Sequence, residues 1–213
     1  MSGTDRRFSA WWKSGVAVLA FGAIAACSPA AQLDDQPERI VEGKEVHTFE
    51  DLPTMTATSD LVVKAQVMSV SPGRWIGVPG SDDADQAREI TLAVQRTLFS
   101  KNATAPTQVI LDEWGWDSKG RGFQLAGVTW SKAGDHGYYF LTATEVPGHY
   151  VLVSSQGRFT DLDGRLVPTA DEADKIHTAG EALGPAGLES AVGRAAKDVA
   201  AKKIKAQPKF RES

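Results

Sequence analysis

A single cysteine, Cys27, stands in a chain of 213 residues. Without a second thiol there is no internal disulfide framework, and every zinc site built on paired thiolates is excluded. Basic residues are outnumbered as well: 23 Lys and Arg face 27 Asp and Glu, for a formal charge of -4 and an isoelectric point near 5.6. The chain therefore carries no overall positive field of the kind that holds a phosphate backbone, and nucleic acid is not an expected partner. The longest apolar run, Gly15 to Ala26, falls well short of the roughly 20 residues that cross a bilayer as a helix. Histidine is sparse and scattered, at 47, 136, 149 and 177, with no second ligand at metal-binding spacing. No glycine-rich phosphate loop occurs, and Ser154 and Ser155 lack the preceding glycine of a nucleophile elbow. Neither a metal nor a cofactor is expected.

What is present begins with an address. Arg6, Arg7 and Lys13 precede the apolar run, which ends at Cys27-Ser28-Pro29; a basic start, a short apolar core and small residues at the exit are the parts of a secretory signal. Ile24-Ala25-Ala26-Cys27 resembles the lipobox of bacterial lipoproteins. That resemblance implies a signal peptide over 1–26, a diacylglycerol thioether on Cys27 and cleavage just before it. Asp5 and Phe8-Ser9 around the arginine pair depart from twin-arginine export, which leaves general secretion. Two acyl chains, at about 0.8 kcal/mol per buried methylene, hold a protein stably on a membrane. The expected location is the extracytoplasmic face of the cell membrane. Loss of Asp5, Arg6, Arg7 and Lys13 takes the formal charge from -4 to -6.

Residues 27–47 carry Pro29, Pro37 and five acids among small side chains and read as a solvated tether. A short helix is expected from Thr48 to about Thr58, opened by a capping-box-like Thr48 and Asp51. Residues 61–70 are rich in β-branched side chains and alternate, so a strand is expected with Val63, Ala65, Val67 and Ser69 on one face. Ser71-Pro72-Gly73 reads as a turn, residues 80–86 as an exposed loop, and Ile90, Leu92 and Val94 as a second strand paired with the first. Further strands are expected at 109–116, 124–130, 137–142 and 150–154, and a hairpin at 158–166 about Asp163-Gly164. This spacing points to a mainly β fold: a small antiparallel, OB-like barrel or sandwich over 48–168. Over 169–213 the pattern turns helical, with Leu188, Val192, Ala195, Ala196, Val199 and Ile204 marking a helix from about 188 to 205 that docks on the barrel edge and leads into a basic tail.

Ser59-Asp60-Leu61-Val62-Val63, Glu113-Trp114-Gly115-Trp116, Gly134-Asp135 and Ser154-Ser155-Gln156-Gly157-Arg158-Phe159, in that order, resemble a family of secreted actinobacterial proteins and lipoproteins with a small β-barrel domain, over roughly residues 48–192. The resemblance implies relatedness and carries no activity. In outline such barrels are similar to the OB-like domain of tissue inhibitors of metalloproteinases and netrin modules. Those inhibitors use a disulfide-tied N-terminal cysteine, whereas Cys27 is expected to carry lipid.

The remaining candidates are aromatic. Trp114 and Trp116 are two apart on an expected strand and would share a face, with Trp130 nearby; outward, they form a platform for a sugar ring or a peptide, and inward they are core. The function expected is therefore a membrane-anchored, non-catalytic binding module whose partner is an envelope polymer or protein. The alternatives are a cell-envelope enzyme whose site assembles only in the fold, for instance Glu113 and Asp117 with His136 or His149, and a structural envelope protein.

Overall fold

A computed structural model of the chain describes residues 33 to 208, apart from 34, 44, 103 and 171–173. The expected signal peptide over 1–26 and Cys27 lie outside the described residues. The elements are β1 (Arg39–Val41), α1 (Leu52–Thr58), β2 (Leu61–Ile76), β3 (Asp85–Ser100), β4 (Gln108–Trp116), β5 (Phe123–Leu125), β6 (His136–Ala143), β7 (His149–Leu152), β8 (Arg158–Leu162), β9 (Arg165–Pro168) and α2 (Lys175–Ala200). The fold is mainly β, with a short N-terminal helix and a long C-terminal one, as the strand spacing implied.

Strands β2, β3, β4, β7 and β6 hydrogen-bond in that order, and β6 returns to β2, closing a ring. All of these pairs are antiparallel except β4 with β7, which run parallel over Ile110–Leu111 and His149–Tyr150; the sheet is thus mixed rather than antiparallel throughout. The β8–β9 hairpin hangs from the free half of the β6 edge. Its turn carries positive φ at both Asp163 (51°) and Gly164 (82°), the conformation an Asp-Gly pair is suited to between two strands.

Alternation along each strand sorts the side chains. Leu61, Val63, Ala65 and Val67 of β2, Ile90 and Leu92 of β3, Val109 and Leu111 of β4, and Tyr139 and Leu141 of β6 fill the ring. The opposite face of β2 and β6 presents Val62, Tyr138 and Phe140 to a second core, completed by Phe49, Met55, Phe159, Ile176, Leu188 and Val192. That second core explains α1 and α2. Both helices cover a sheet face that would otherwise leave large apolar side chains in water, each worth about 1.5–3 kcal/mol when buried.

Several elements depart from the sequence expectation. Helix α1 starts at Leu52, capped by the Asp51 carboxylate accepting from the Thr54 N–H, not by Thr48. Strand β2 runs through Ser71-Pro72-Gly73, absorbing the interruption as irregularities between Pro72 and Trp75 and again between Val67 and Ser69, so Ser69 is exposed rather than facing inward. Strand β5 is Phe123–Leu125 and so takes up only Gln124 and Leu125 of the expected 124–130 segment. The C-terminal helix begins at Lys175 instead of 188: a first leg capped by Asp174 meets a kink at Gly184 (φ 63°) followed by Pro185, and the second leg buries Leu188, Val192 and Ala195 as expected. Proline suits the first turn of that second leg because its missing N–H would have no partner there. Finally, residues 38–47 are not solvated throughout. β1 pairs in parallel with β5, and the Glu38 N–H donates to the Gly122 carbonyl, because β5 leaves one edge open for a strand to satisfy.

Candidate functional site

The chemistry collects along β4, where Asp112, Glu113 and Trp114 follow one another and consecutive side chains point to opposite faces. Glu113 shares the inward face with Leu111 and lies directly opposite Arg88 of β3, so a charged pair continues the apolar stack of the ring interior. Arg88 Nη1 donates to Glu113 Oε2; Arg158 Nη1 donates to Oε1 at 3.3 Å; the Ser131 hydroxyl and N–H complete the shell at 2.9 and 3.1 Å. Arg158 reaches on to the Thr129 carbonyl at 2.9 Å and to Asp135 at 3.3 Å. Two rings flank the guanidinium groups: Arg88 lies 4.3 Å over Trp130 and Arg158 lies 5.9 Å from the Tyr139 centroid. Burial lowers the proton affinity of Arg88 while Glu113 opposes that shift, and burial pushes the Tyr139 hydroxyl up to about 12. This cluster sets two guanidinium groups around the Glu113 carboxylate at one end of the ring core, with the buried Arg158 Nε left without a hydrogen-bond partner among the described residues.

A second cluster ties β1 to the end of β4. Asp117 accepts from Arg39 at 3.1 Å, from Arg121 Nη2 at 2.7 Å and from the N–H groups of Lys119 and Arg121. Burial disfavours this carboxylate, but the Arg121 side chain and those backbone donors outweigh burial and hold its pKa below the usual carboxylate range. A folded-state pKa below the unfolded value near 3.9 means stability that is present above that value and lost as pH falls through the depressed one. Asp117→Asn is therefore expected to cost about 1.5–3 kcal/mol at neutral pH and to flatten the acid limb of stability against pH, read from urea unfolding between pH 2 and 7. An acid limb identical to that of the parent would contradict the assignment.

On the outer face of β4, Asp112 accepts from Arg74 Nε at 2.8 Å and from His149 Nδ1 at 3.0 Å. The carboxylate fixes the imidazole tautomer. Among the described residues no serine or threonine hydroxyl is hydrogen-bonded to the His149 imidazole; Thr144 Oγ1 donates to the His149 backbone carbonyl instead, at 3.2 Å.

Asp112 and Trp114 also line a cleft of about 310 Å³. Its apolar walls include Trp114, Leu125, Val128, Val151 and Val153, and its polar edge includes Glu45, Ser154 and Ser155. The segment carrying Gly43, Glu45 and Val46 forms one side; it is strapped down by the β1–β5 ladder, by the Arg39–Asp117 pair and by the Ser155 N–H donating to Glu45 at 3.2 Å. Beyond it, Gln156 grips both backbone groups of Phe49, accepting from its N–H at 2.7 Å and donating to its carbonyl at 3.1 Å.

The three tryptophans thus separate. A register shift between Gln86 and Ala87, opposite Trp116 and Trp114, breaks the regular pleat at Gly115, where a Cβ would fall 2.6 Å from Arg88 Cγ. Trp116 and Trp130 are 6% and 7% exposed and pack edge to face at 5.5 Å; with Trp130 Nε1 donating to the Phe123 carbonyl, these two are core. Trp114 alone reaches the cleft, 6.1 Å from Phe123. His136 meets Gln95, His47 meets Gln207, and His177 is buried against Phe159, so of the four only His149 stands beside a cleft carboxylate. Glu113 and Asp117 do not converge on a histidine. The cleft itself was missed, because its lining comes from separate stretches between 43 and 155 and includes the strap that reads as tether. Among the described residues no group of three or more His, Cys, Asp or Glu is placed to hold a metal ion, and no helix is long and apolar enough to cross a membrane. The sequence matches no protein-family model, and no curated protein matches it.

Proposed function

We propose that this chain is a lipoprotein held through Cys27 on the extracytoplasmic face of the cell membrane, where it binds a ligand in the cleft beside Trp114 rather than transforming one. The cleft is the observation that carries the reading. It has the size and largely apolar lining of a small-molecule site, and its two strand-borne carboxylates are occupied: Asp112 by Arg74 and His149, Glu113 by Arg88, Arg158 and Ser131. Groups held this way position a wall more readily than they exchange protons. The lipobox and the resemblance to secreted lipoproteins support the location.

Fractionation of producing cells tests the anchor. The parent is expected in the membrane pellet, and Cys27→Ala in the soluble extracytoplasmic fraction or as uncleaved precursor. Equal distribution of the two proteins would overturn the anchor.

A further inference from the structure

We infer that the cleft selects a ligand with a flat or compact apolar body and a single cationic group, an alkylammonium or guanidinium, that pairs with Glu45. The inference rests on the binding reading above and deepens it. Among the described residues, the ionisable ones that line the cleft are all acidic: Glu45, Asp112 and Glu113. Asp112 and Glu113 have cationic partners, Arg74 for the first and Arg88 and Arg158 for the second. Glu45 differs. Its carboxylate accepts from the Ser155 N–H through both oxygens, at 3.2 and 3.3 Å, and no described lysine or arginine forms a salt bridge to it. One negative charge with no cationic partner among the described residues therefore stands on the polar edge of a cavity whose apolar lining is Trp114, two leucines and four valines.

A neutral apolar ligand would gain the walls but nothing from Glu45, and an anion would be repelled. A cation with an apolar body satisfies both surfaces, and the indole of Trp114 adds attraction for a cation or an aromatic ring placed on its face. The backbone hydrogen bond holds Glu45 in place before the ligand arrives, which reduces the ordering cost of binding. The strap then does more than wall the site, because it brings the recognition charge. A chain in which the strap is displaced keeps Trp114 and loses Glu45.

The test uses the full chain and three probes of one shape: 2-phenylethylamine, 2-phenylethanol and 3-phenylpropionate. Binding is followed by amide chemical-shift changes at Trp114, Val151 and Ser155. The amine is expected to bind at least about fivefold more tightly than the alcohol, the range of a partly exposed ion pair, and the acid not to bind. Glu45→Gln, which keeps an oxygen for the Ser155 N–H, is expected to bring the amine down to the alcohol's affinity and leave the alcohol unchanged. Trp114→Ala is expected to weaken amine and alcohol together. Equal affinity for all three probes overturns the charge assignment and leaves the cleft a binding site. Absence of any perturbation at these amides with every probe overturns both the assignment and the binding reading.

Discussion

Replacing Glu113 with alanine is expected to lower the thermal midpoint by roughly 6–20 °C. The carboxylate is the hub that both guanidinium groups share, and Arg88 and Arg158 side chains are 8% and 2% exposed. Without it two buried cations face each other, and the Ser131 N–H and hydroxyl lose their acceptor. Removing one partner of a buried pair costs about 3–5 kcal/mol, chiefly because the other charge stays buried and unpaired; in a domain of this size each kcal/mol shifts the midpoint by about 2–4 °C. The cost belongs to the unpaired charges rather than to the pair itself. Replacing the trio together, with Arg88→Met, Glu113→Leu and Arg158→Met, is accordingly expected to recover much of the loss, measured by differential scanning calorimetry. If Glu113→Ala melts like the parent, the guanidinium groups find water and the cluster does not close the ring.

Truncating Trp116 to alanine should produce an effect of similar size by a different route. The indole is buried against Trp130, and Trp130 is the shelf over which Arg88 lies. Deleting a buried tryptophan side chain costs about 3–5 kcal/mol, through lost transfer energy and the cavity left behind. Trp114→Ala, on the half-buried side of the strand, is expected to cost clearly less and to act on the cleft instead. Chemical denaturation of both variants separates the two positions. Equal losses would mean that both indoles are core and that the cleft has no aromatic wall of its own. Because Trp116 and Glu113 act on the same guanidinium, their combined loss is expected to fall short of the sum.

The β-rich class was legible because it follows from local pattern. Alternation marked β2 and β3, the short apolar segment 137–142 marked β6, the Asp163-Gly164 pair marked the β8–β9 turn, and the spacing of Leu188, Val192 and Ala195 marked the second leg of α2. The quoted motifs turn out to hold structural posts: Glu113 and Arg158 the charged cluster, Gln156 the grip on Phe49, Asp135 the outer partner of Arg158. What escaped depends on partners distant in the chain. Three residues, Arg39–Val41, become a strand only because β5 offers an edge. The first leg of α2, with two glycines and a proline at its end, carries little intrinsic helix preference; Gly180 is needed there because a Cβ would lie 2.3 Å from Phe159 Cε1. The shared face expected for Trp114 and Trp116 assumed an unbroken pleat, and the irregularity at Gly115 divided them. A cleft assembled from residues as far apart as Gly43 and Ser155 leaves no local signature at all.

The proposed location stands on Cys27, since the domain is held at the membrane surface only if it is tied there. Mass spectrometry of the protein extracted from the membranes of its native host with detergent tests this most directly. The account predicts a mature chain that begins at Cys27 and carries a diacylglyceryl group on its sulfur. A chain that retains residues 1–26, or one whose Cys27 thiol is unmodified, would contradict it.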